Sequence, residues 1–484
     1  MKSKLNYSVL LLLVLSFVSI FSSCDNKEDV KPAPVVTAPG TTEVEESTAV
    51  DITFEFTAEA GYKTAIVEAT NGTAVVKTQG SLNAVSGTVV VTFTAGSNIG
   101  AGSATLTVTD NDGQTSSATA VMDVVAEQTT FYISDNITQN TTWESGKVYI
   151  LQSRIAVISG VTLTIEPGVV VKGEAGTAEN ATALLITRGA KLMAEGTASD
   201  PIIFTSIADE IMPGQIASPN LDPTLNGLWG GLLICGKARI SVAGDAENKQ
   251  IEGIPPSDPN GLYGGTDDAD NSGVIKYISI RHGGANIGEG NEINGLTLAG
   301  VGSGTVIENV EIVSNQDDGI EFFGGTVSVN NVVVWNTGDD AIDTDQTWSG
   351  TLDNFIIINP GDKCFELDGP EGALYTANHV IQNGHVKAGN AVSLVDVDAN
   401  SNVNMDDIYF YDLKAGQLCE NPSATYSCIF SDFEVTLPAS TVIADFFATN
   451  AAAVTTAVDA PSDGIGANPA DFTGWSWASE ASAF

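Results

Sequence analysis

Positive charge is scarce in this chain: 19 Lys and Arg stand against 60 Asp and Glu, for a formal net charge of −41. Such a balance repels phosphate backbones, so no nucleic-acid partner is expected, and it favours divalent cations. Histidine is rarer still: His282, His379 and His385 are the three in the chain, and they have no metal-ligand spacing. Five cysteines, none at Cys-x-x-Cys spacing, leave no zinc-type cluster. Helical periodicity is nearly absent between residues 40 and 440, and no Ser/His/Asp order, phosphate loop or nucleotide fingerprint is visible. A 43% hydrophobic share over 484 residues is nevertheless enough for a large core, and the length favours two or more domains.

The N-terminus carries an address. Lys2 and Lys4 precede an almost unbroken apolar run from Val9 to Phe21, followed by Ser22, Ser23 and Cys24. This is the layout of a signal peptide, and the run is too short for a membrane span. Phe21-Ser22-Ser23-Cys24 resembles the lipobox of bacterial lipoproteins, with Phe21 in place of the usual leucine. The resemblance implies acylation of Cys24 and attachment to a membrane without a spanning helix; a plain cleaved signal is the alternative. Asp25-Asn26-Lys27-Glu28-Asp29 is similar to the Lys-plus-acid tag that sends lipoproteins of certain Gram-negative bacteria to the surface of the outer membrane. Residues 25–40, with Pro32, Pro34 and Pro39, read as an extended tether. In an exported protein, Cys419 and Cys428, which bracket a polar loop, are expected to form a disulfide, whereas Cys235 and Cys364 sit in apolar runs that suit buried thiols.

Short runs rich in Val, Ile and Thr, punctuated by Gly, Asn and Asp, make the rest of the chain all-β. Residues 41–126 alternate with period two, as in Asp51-Ile52-Thr53-Phe54-Glu55-Phe56, which predicts a β-sandwich with one wet and one buried face per sheet. Ala104 to Asp110, the turn Asn111-Asp112-Gly113, and Thr115 to Val124 read as a hairpin. This hairpin resembles the closing hairpin of PKD-type and bacterial immunoglobulin-like domains. From residue 127 the pattern changes to short strands at near-regular spacing. Asn309-Val310-Glu311-Ile312 with Asp317-Asp318-Gly319-Ile320-Glu321 is echoed 22 residues later from Asn331 to Asp343, and again 23 residues on from Asn354 to Glu366. That period matches one turn of a solenoid, and without a leucine-rich consensus it predicts a right-handed parallel β-helix over 127–440 with a cap over 441–484. Gly189-Ala190-Lys191-Leu192, Gly227-Leu228-Trp229-Gly230-Gly231, Tyr263-Gly264-Gly265 and the tail from Trp475 resemble bacterial surface β-helix lipoproteins related in fold to pectate lyases. That resemblance implies a fold more than an activity.

If Ile320, Ile342 and Phe365 point inward, then Glu321, Asp343 and Glu366 point outward at one strand position of successive coils, about 4.8 Å apart. Asp345 and Asp368 extend this acidic ladder, and Asp317, Asp339 and Asp362 stack at the turn before it. Two functions compete with a purely solvating role. The ladder binds calcium and an extracellular ligand, polysaccharide foremost, with Trp335, Trp348, Tyr375, Tyr409 and Tyr411 as stacking platforms. Alternatively it is catalytic, as a lyase or inverting glycosidase, with Glu321, Asp343, Glu366, Asp340 and His385 as candidates. Asp339-Asp340 with Asn383-Gly384-His385 resembles polygalacturonase sites, whose Arg-x-Lys element is missing here. A second calcium signal runs from Asp396 to Asp407, with Asp396, Asp398, Asn400, Asn402 and Asp407 at EF-hand-like, dockerin-like spacing. Asp268 to Gly273 is a fainter one. The expectation is a monomeric surface lipoprotein that binds polysaccharide on a calcium-stabilised β-helix, with a structural or adhesive protein as a further alternative.

Overall fold

The computed structural model describes residues 30–176, 181–284, 293–420 and 428–484. The signal segment, Cys24 and the acidic tag lie outside the described residues. The chain forms two compact units, Met1–Gln128 and Thr129–Phe484. Among the described residues, no helix is long and apolar enough to cross a membrane.

The first unit is a sandwich of two four-stranded sheets. Period-two alternation sends Phe54, Phe93, Leu106 and Met122 into a common core and leaves the intervening Thr, Ser and Glu wet. The turn at Asp110 closes as expected: Gln114 N–H donates to Asp110 Oδ1 at 2.8 Å, and Gly113 takes φ +82. One expectation is corrected. Val35–Thr37, read as part of a tether, pairs antiparallel with Ala49–Thr57 and is an edge strand of the sandwich, because Val36 packs on its core.

The second unit is a right-handed parallel β-helix. Each full coil supplies one short strand to a front sheet and one long bent strand to the rest of the wall, as in Ile320–Phe323 followed by Val329–Trp335. The eight front strands stack in parallel from Arg154–Val157 to Ser393–Val397. Each long strand bends at one residue with positive φ, and that corner divides it into a back limb and a flank limb. Asn309, Asn331, Asn354 and Asn383 occupy the corner in consecutive coils at φ between 55 and 60. Asparagine suits this place twice over: it tolerates the left-handed region, and its amide bonds the next coil. Asn331 Nδ2 donates to Asn309 Oδ1 at 3.0 Å, and Asn354 Nδ2 donates to Asn331 Oδ1 at 2.6 Å.

Inward rows fill the coil completely. Leu296, Ile320, Ile342, Phe365 and Val395 lie in register, all buried. The end is closed by Ile443–Asp445 and the short helix Thr449–Val454, which bring Phe446, Phe447 and Ala451 into the core. The remainder of the tail does something not expected from sequence. Residues 467–484 run back over the flank, where Trp475 and Trp477 cover Val313, Val333, Trp335, Ile356 and Ile358, so those tryptophans strap several coils and do not cap the last one.

The corner ladder can be tested directly. Asn331→Ala places a Cβ-bearing residue without an amide at φ 57 and removes two coil-to-coil hydrogen bonds, for an expected loss of about 2 kcal/mol. Asn331→Gly should lose less. Denaturant unfolding of both variants checks the order; equal stability would mean that the corner carries no strain.

Candidate functional site

The outward row of the front sheet changes character along the helix axis. Ala156, Leu185, Leu233, Thr297, Glu321, Asp343, Glu366 and Asp396 stand side by side in register. The early, apolar members are covered by the excursion after Cys235, whose Ile240, Val242, Ile251, Ile254 and Tyr263 pack on Leu185, Leu233 and Phe323. That excursion also borders a cleft of about 310 Å³ lined by Lys249, Glu252, Ile254, Pro256, Tyr263 and Phe323. From Glu321 onward the row is acidic.

A second acidic row runs along the turn that precedes each front strand, and it forms a staircase. Asp318 Oδ1 accepts the Asp340 backbone N–H at 2.9 Å, and Asp340 Oδ1 accepts that of Lys363 at 2.6 Å. The staircase ends in a cation, since Lys363 Nζ lies 3.4 Å from Asp340, 3.3 Å from Asp362 and 3.1 Å from Glu366. Three groups of acids come close enough to share an ion in this region: Asp317 with Asp318 and Asp339, Asp318 with Glu321 and Asp343, and Asp339 with Asp340 and Asp362.

Proton affinity follows burial and crowding. Burial, with Asp343 as the nearest like charge, raises Asp318 and Glu321 well above the carboxylate range; burial and Glu366 do the same to Asp343. Asp340 is pushed up to about 9 by burial and by its hydrogen bond to Glu366. Burial works against Glu366 too, but bonds from Asp340 and Lys363 outweigh it and hold Glu366 low, so the proton of this pair sits on Asp340. Asp345 rises to about 6 through burial and Glu371, and Asp368 to about 7 through burial and Asp398. Asp345 is also tied into a polar chain: it accepts from Gln346, whose Oε1 accepts the Tyr263 hydroxyl at 2.9 Å and whose Nε2 reaches Glu371.

Several of the residues singled out in the sequence change role once placed. Glu321 is only 7% exposed and Asp343 is largely covered, so neither offers its carboxylate to a large ligand; Glu366, with 32% of its side chain exposed, does. Trp348 lies inside the coil, stacked on Phe322 at 4.0 Å with Nε1 donating to Val327 O, and Trp335 is under the tail against Trp477. Neither is a stacking platform, because both fill apolar space. His385 cannot join Asp339-Asp340: it sits on the flank limb between Ile356 and Tyr409, beyond the corner at Asn383, while the aspartates precede a front strand. The adjacent Gly384 lies beneath the Phe355 ring, where a Cβ would come within 2.0 Å. His379 is buried against Trp348, and burial pushes it down to about 3, which keeps it neutral.

The EF-hand-like segment is not one loop. Asp396 belongs to the front strand Ser393–Val397, Asp398 follows it, and Asp407 is a corner residue of Val403–Tyr411 grouped instead with Asp406 and Asp432. Asn400 and Asn402 donate to Pro370 O and Thr376 Oγ1 as turn fasteners. Asp268 and Asp270 are likewise engaged, by Arg239 and by Lys237. Cys419 and Cys428 are free thiols turned toward the core, not a disulfide, and burial raises both, Cys428 to about 12. Sequence reasoning gave no site role to Asn294, Gln346, Glu371 or Tyr263; Gln346 directly follows Asp345, while the other three reach the ladder from other coils or excursions and leave no local pattern.

Against this geometry, a family model described as a pectate-lyase-like β-helix domain matches residues 135–416, more than half of the chain. The chain belongs to that family. The chain shares 11% identity with the catalytic unit of a thermostable GH87 α-1,3-glucanase from Streptomyces thermodiastaticus strain HF3-3, over 88% of each chain, at a TM-score of 0.31. It shares 12% with a family 28 exopolygalacturonase from Yersinia enterocolitica, over 91% of this chain and 90% of that one, at a TM-score of 0.17. No curated protein matches it.

The raised carboxyls predict an unusual stability profile. A carboxyl whose folded pKa lies above its unfolded value of about 4 stabilises the folded state at low pH, and that contribution is lost as pH rises toward the folded pKa. Asp345, Asp368 and Asp340 therefore withdraw stability in turn from about pH 4 through about 6, about 7 and about 9. Glu366 and Glu371 act in the opposite sense, but only below their unfolded values. In chelator, the melting temperature should fall between pH 5 and pH 9, with a flatter profile for Asp340→Asn. A rise over that range would show the carboxyls to be ionised in the fold.

Proposed function

We propose that the later front coils are the binding face of an exported, lipid-anchored surface protein that takes an acidic polysaccharide through divalent cations. The observation that carries this reading is the change along one outward row, from apolar positions sealed by an excursion to acids of which Glu366 and Asp368 still meet solvent. These two, with Asp396 beside Glu366 and Asp398 beside Asp368, gather more negative charge than Lys363 balances. Like carboxylates at strand spacing repel, so a calcium ion shared with an anionic sugar relieves them and gives the sugar its attachment. A rigid row that repeats every coil suits an extended polymer. Export and anchoring at Cys24 place such a face outside the cell, which the signal-like segment supports.

A second reading rests on the unequal pair Asp340 and Glu366, one protonated and one ionised at neutral pH, which is the division of labour of an acid and a base. Asp340, however, is almost wholly buried and bonded to Lys363, which favours a structural role for its proton.

Calorimetric titration with polygalacturonate as the probe, in calcium and in chelator, separates these readings. Binding should require calcium and fall about 10-fold or more, near 1.4 kcal/mol, in Glu366→Gln/Asp368→Asn/Asp396→Asn. Binding indifferent to chelator and to that variant defeats the proposal. New reducing ends or unsaturated products in the same mixture establish catalysis instead.

A further inference from the structure

Next to the exposed acids of the front face lies a covered set that the proposed ligand does not touch. Asp318 and Glu321 are buried, Asp343 is largely covered, and one carboxylate oxygen from each lies within 4.8 Å of the others. We propose that Asp318, Glu321, Asp343 and Asn294 hold one calcium ion on the covered part of the front face, a site separate from the exposed contacts and independent of whether a polysaccharide binds.

Three observations converge on it. The first is orphaned acceptors. Asn294 is 1% exposed, and its Nδ2 donates to Glu321 Oε2, which places the amide at the cluster; its Oδ1 has no hydrogen-bond partner among the described residues. Asp343 Oδ1 is buried and without a partner in the same sense. Two buried acceptors with nothing to accept from are a demand for positive charge. The second observation is spacing. Calcium takes oxygen ligands at about 2.3–2.6 Å, so one centre reaches three oxygens that lie within 4.8 Å of one another.

The third is an internal comparison. One coil further on, Asp340, Asp362 and Glu366 surround the Lys363 ammonium at 3.1 to 3.4 Å. In the staircase of turn residues the place of Lys363 is taken, one coil earlier, by Asp340. Asp318 and Asp343 are the counterparts, one coil earlier, of the Asp340 and Glu366 that flank Lys363, Glu321 stands beside Asp343 in the outward row, and among the described residues no Lys or Arg forms an ion pair with these three. A metal ion supplies what Lys363 supplies next door. The donor set is all oxygen, three carboxylates and an amide, with neither thiolate nor imidazole, which selects a hard divalent cation.

The experiment is calcium titration of the full chain, stripped with chelator, by calorimetry at pH 7. Wild type should bind an equivalent of calcium. Glu321→Gln/Asp343→Asn should lose that equivalent or weaken it about 100-fold, while Glu366→Gln keeps it. Melting in chelator shows whether the double variant is folded. Should it fail to fold, Asn294→Ala, which leaves all three carboxylates, decides the matter: affinity lowered about 10-fold supports the site, and unchanged affinity overturns it. An unchanged stoichiometry and affinity in a folded double variant also overturns it. Loss of polygalacturonate binding in Glu366→Gln with this equivalent intact concerns the outer face alone.

Discussion

Every outward side chain of the β-helix faces its own counterpart one coil up and one coil down at about 4.8 Å, and this register is the constraint on which the rest depends. Inward rows meet it easily, because Ile320, Ile342 and Phe365 gain contact area by stacking. Outward rows must each find their own solution. At the corner the solution is amide to amide, as in Asn309, Asn331 and Asn354. On the early front coils it is hydrophobic, with an excursion as cover. On the later ones it is acidic, and there register turns into a problem: what is favourable for Ile on Ile is repulsive for Asp on Glu.

The chain resolves that repulsion in three ways within a short stretch. A proton on Asp340 lets it donate to Glu366, and the Lys363 ammonium holds Asp340, Asp362 and Glu366 together. Backbone N–H groups of the next coil neutralise part of the turn row, as at Asp318 and Asp340. These devices are coupled, since the coil stacking that brings the N–H groups into reach also brings the acids together. A change at one rung therefore shifts proton affinities at the next, and site and scaffold are one structure here.

Much of the fold was legible in the sequence because it repeats. The 22- and 23-residue echoes carried the coil length, and the Asn at the start of each echo proved to be the corner. The outward position of Glu321, Asp343 and Glu366 followed from strand alternation alone. What sequence left hidden was depth. Whether Glu321 is wet or sealed depends on what lies over it, and alternation separates the two sides of a sheet without telling a covered outer face from an open one. The same limit misplaced Trp335 and Trp348, one under the tail and one inside the coil, since an aromatic beside a polar turn reads identically in either case. The dockerin-like spacing failed for a different reason. Residues 396 to 407 have the right oxygens at the right intervals, but the interval holds the end of one strand and the corner of the next, so the intended ligands diverge.

The three outward faces also differ in what closes them, and this bears on where a ligand has access. On the flank, Ser279, Glu311, Val333 and Ile356 form one outward row and Arg281, Val313, Trp335 and Ile358 another. The first coil of this pair of rows carries a fully buried Arg281 beside Glu311, with Ser279 Oγ bonded to both. The tail seals them: Ala478 N–H donates to Glu311 Oε1, and the Trp477 ring lies against Arg281. A buried ion pair of this kind is costly to leave half-made, so the strap is held by polar groups as well as by apolar area. The back limb presents little more than one outward position per coil, such as Glu308, Asn330 and Asp353. Over the coils that carry the acids, the flank is thus occupied by the chain's own tail and the back is narrow, whereas on the front Glu366 and Asp368 stay in reach of solvent. Evolution of the fold toward a ligand at the front requires no opening of the wall, only a row that the excursions do not cover.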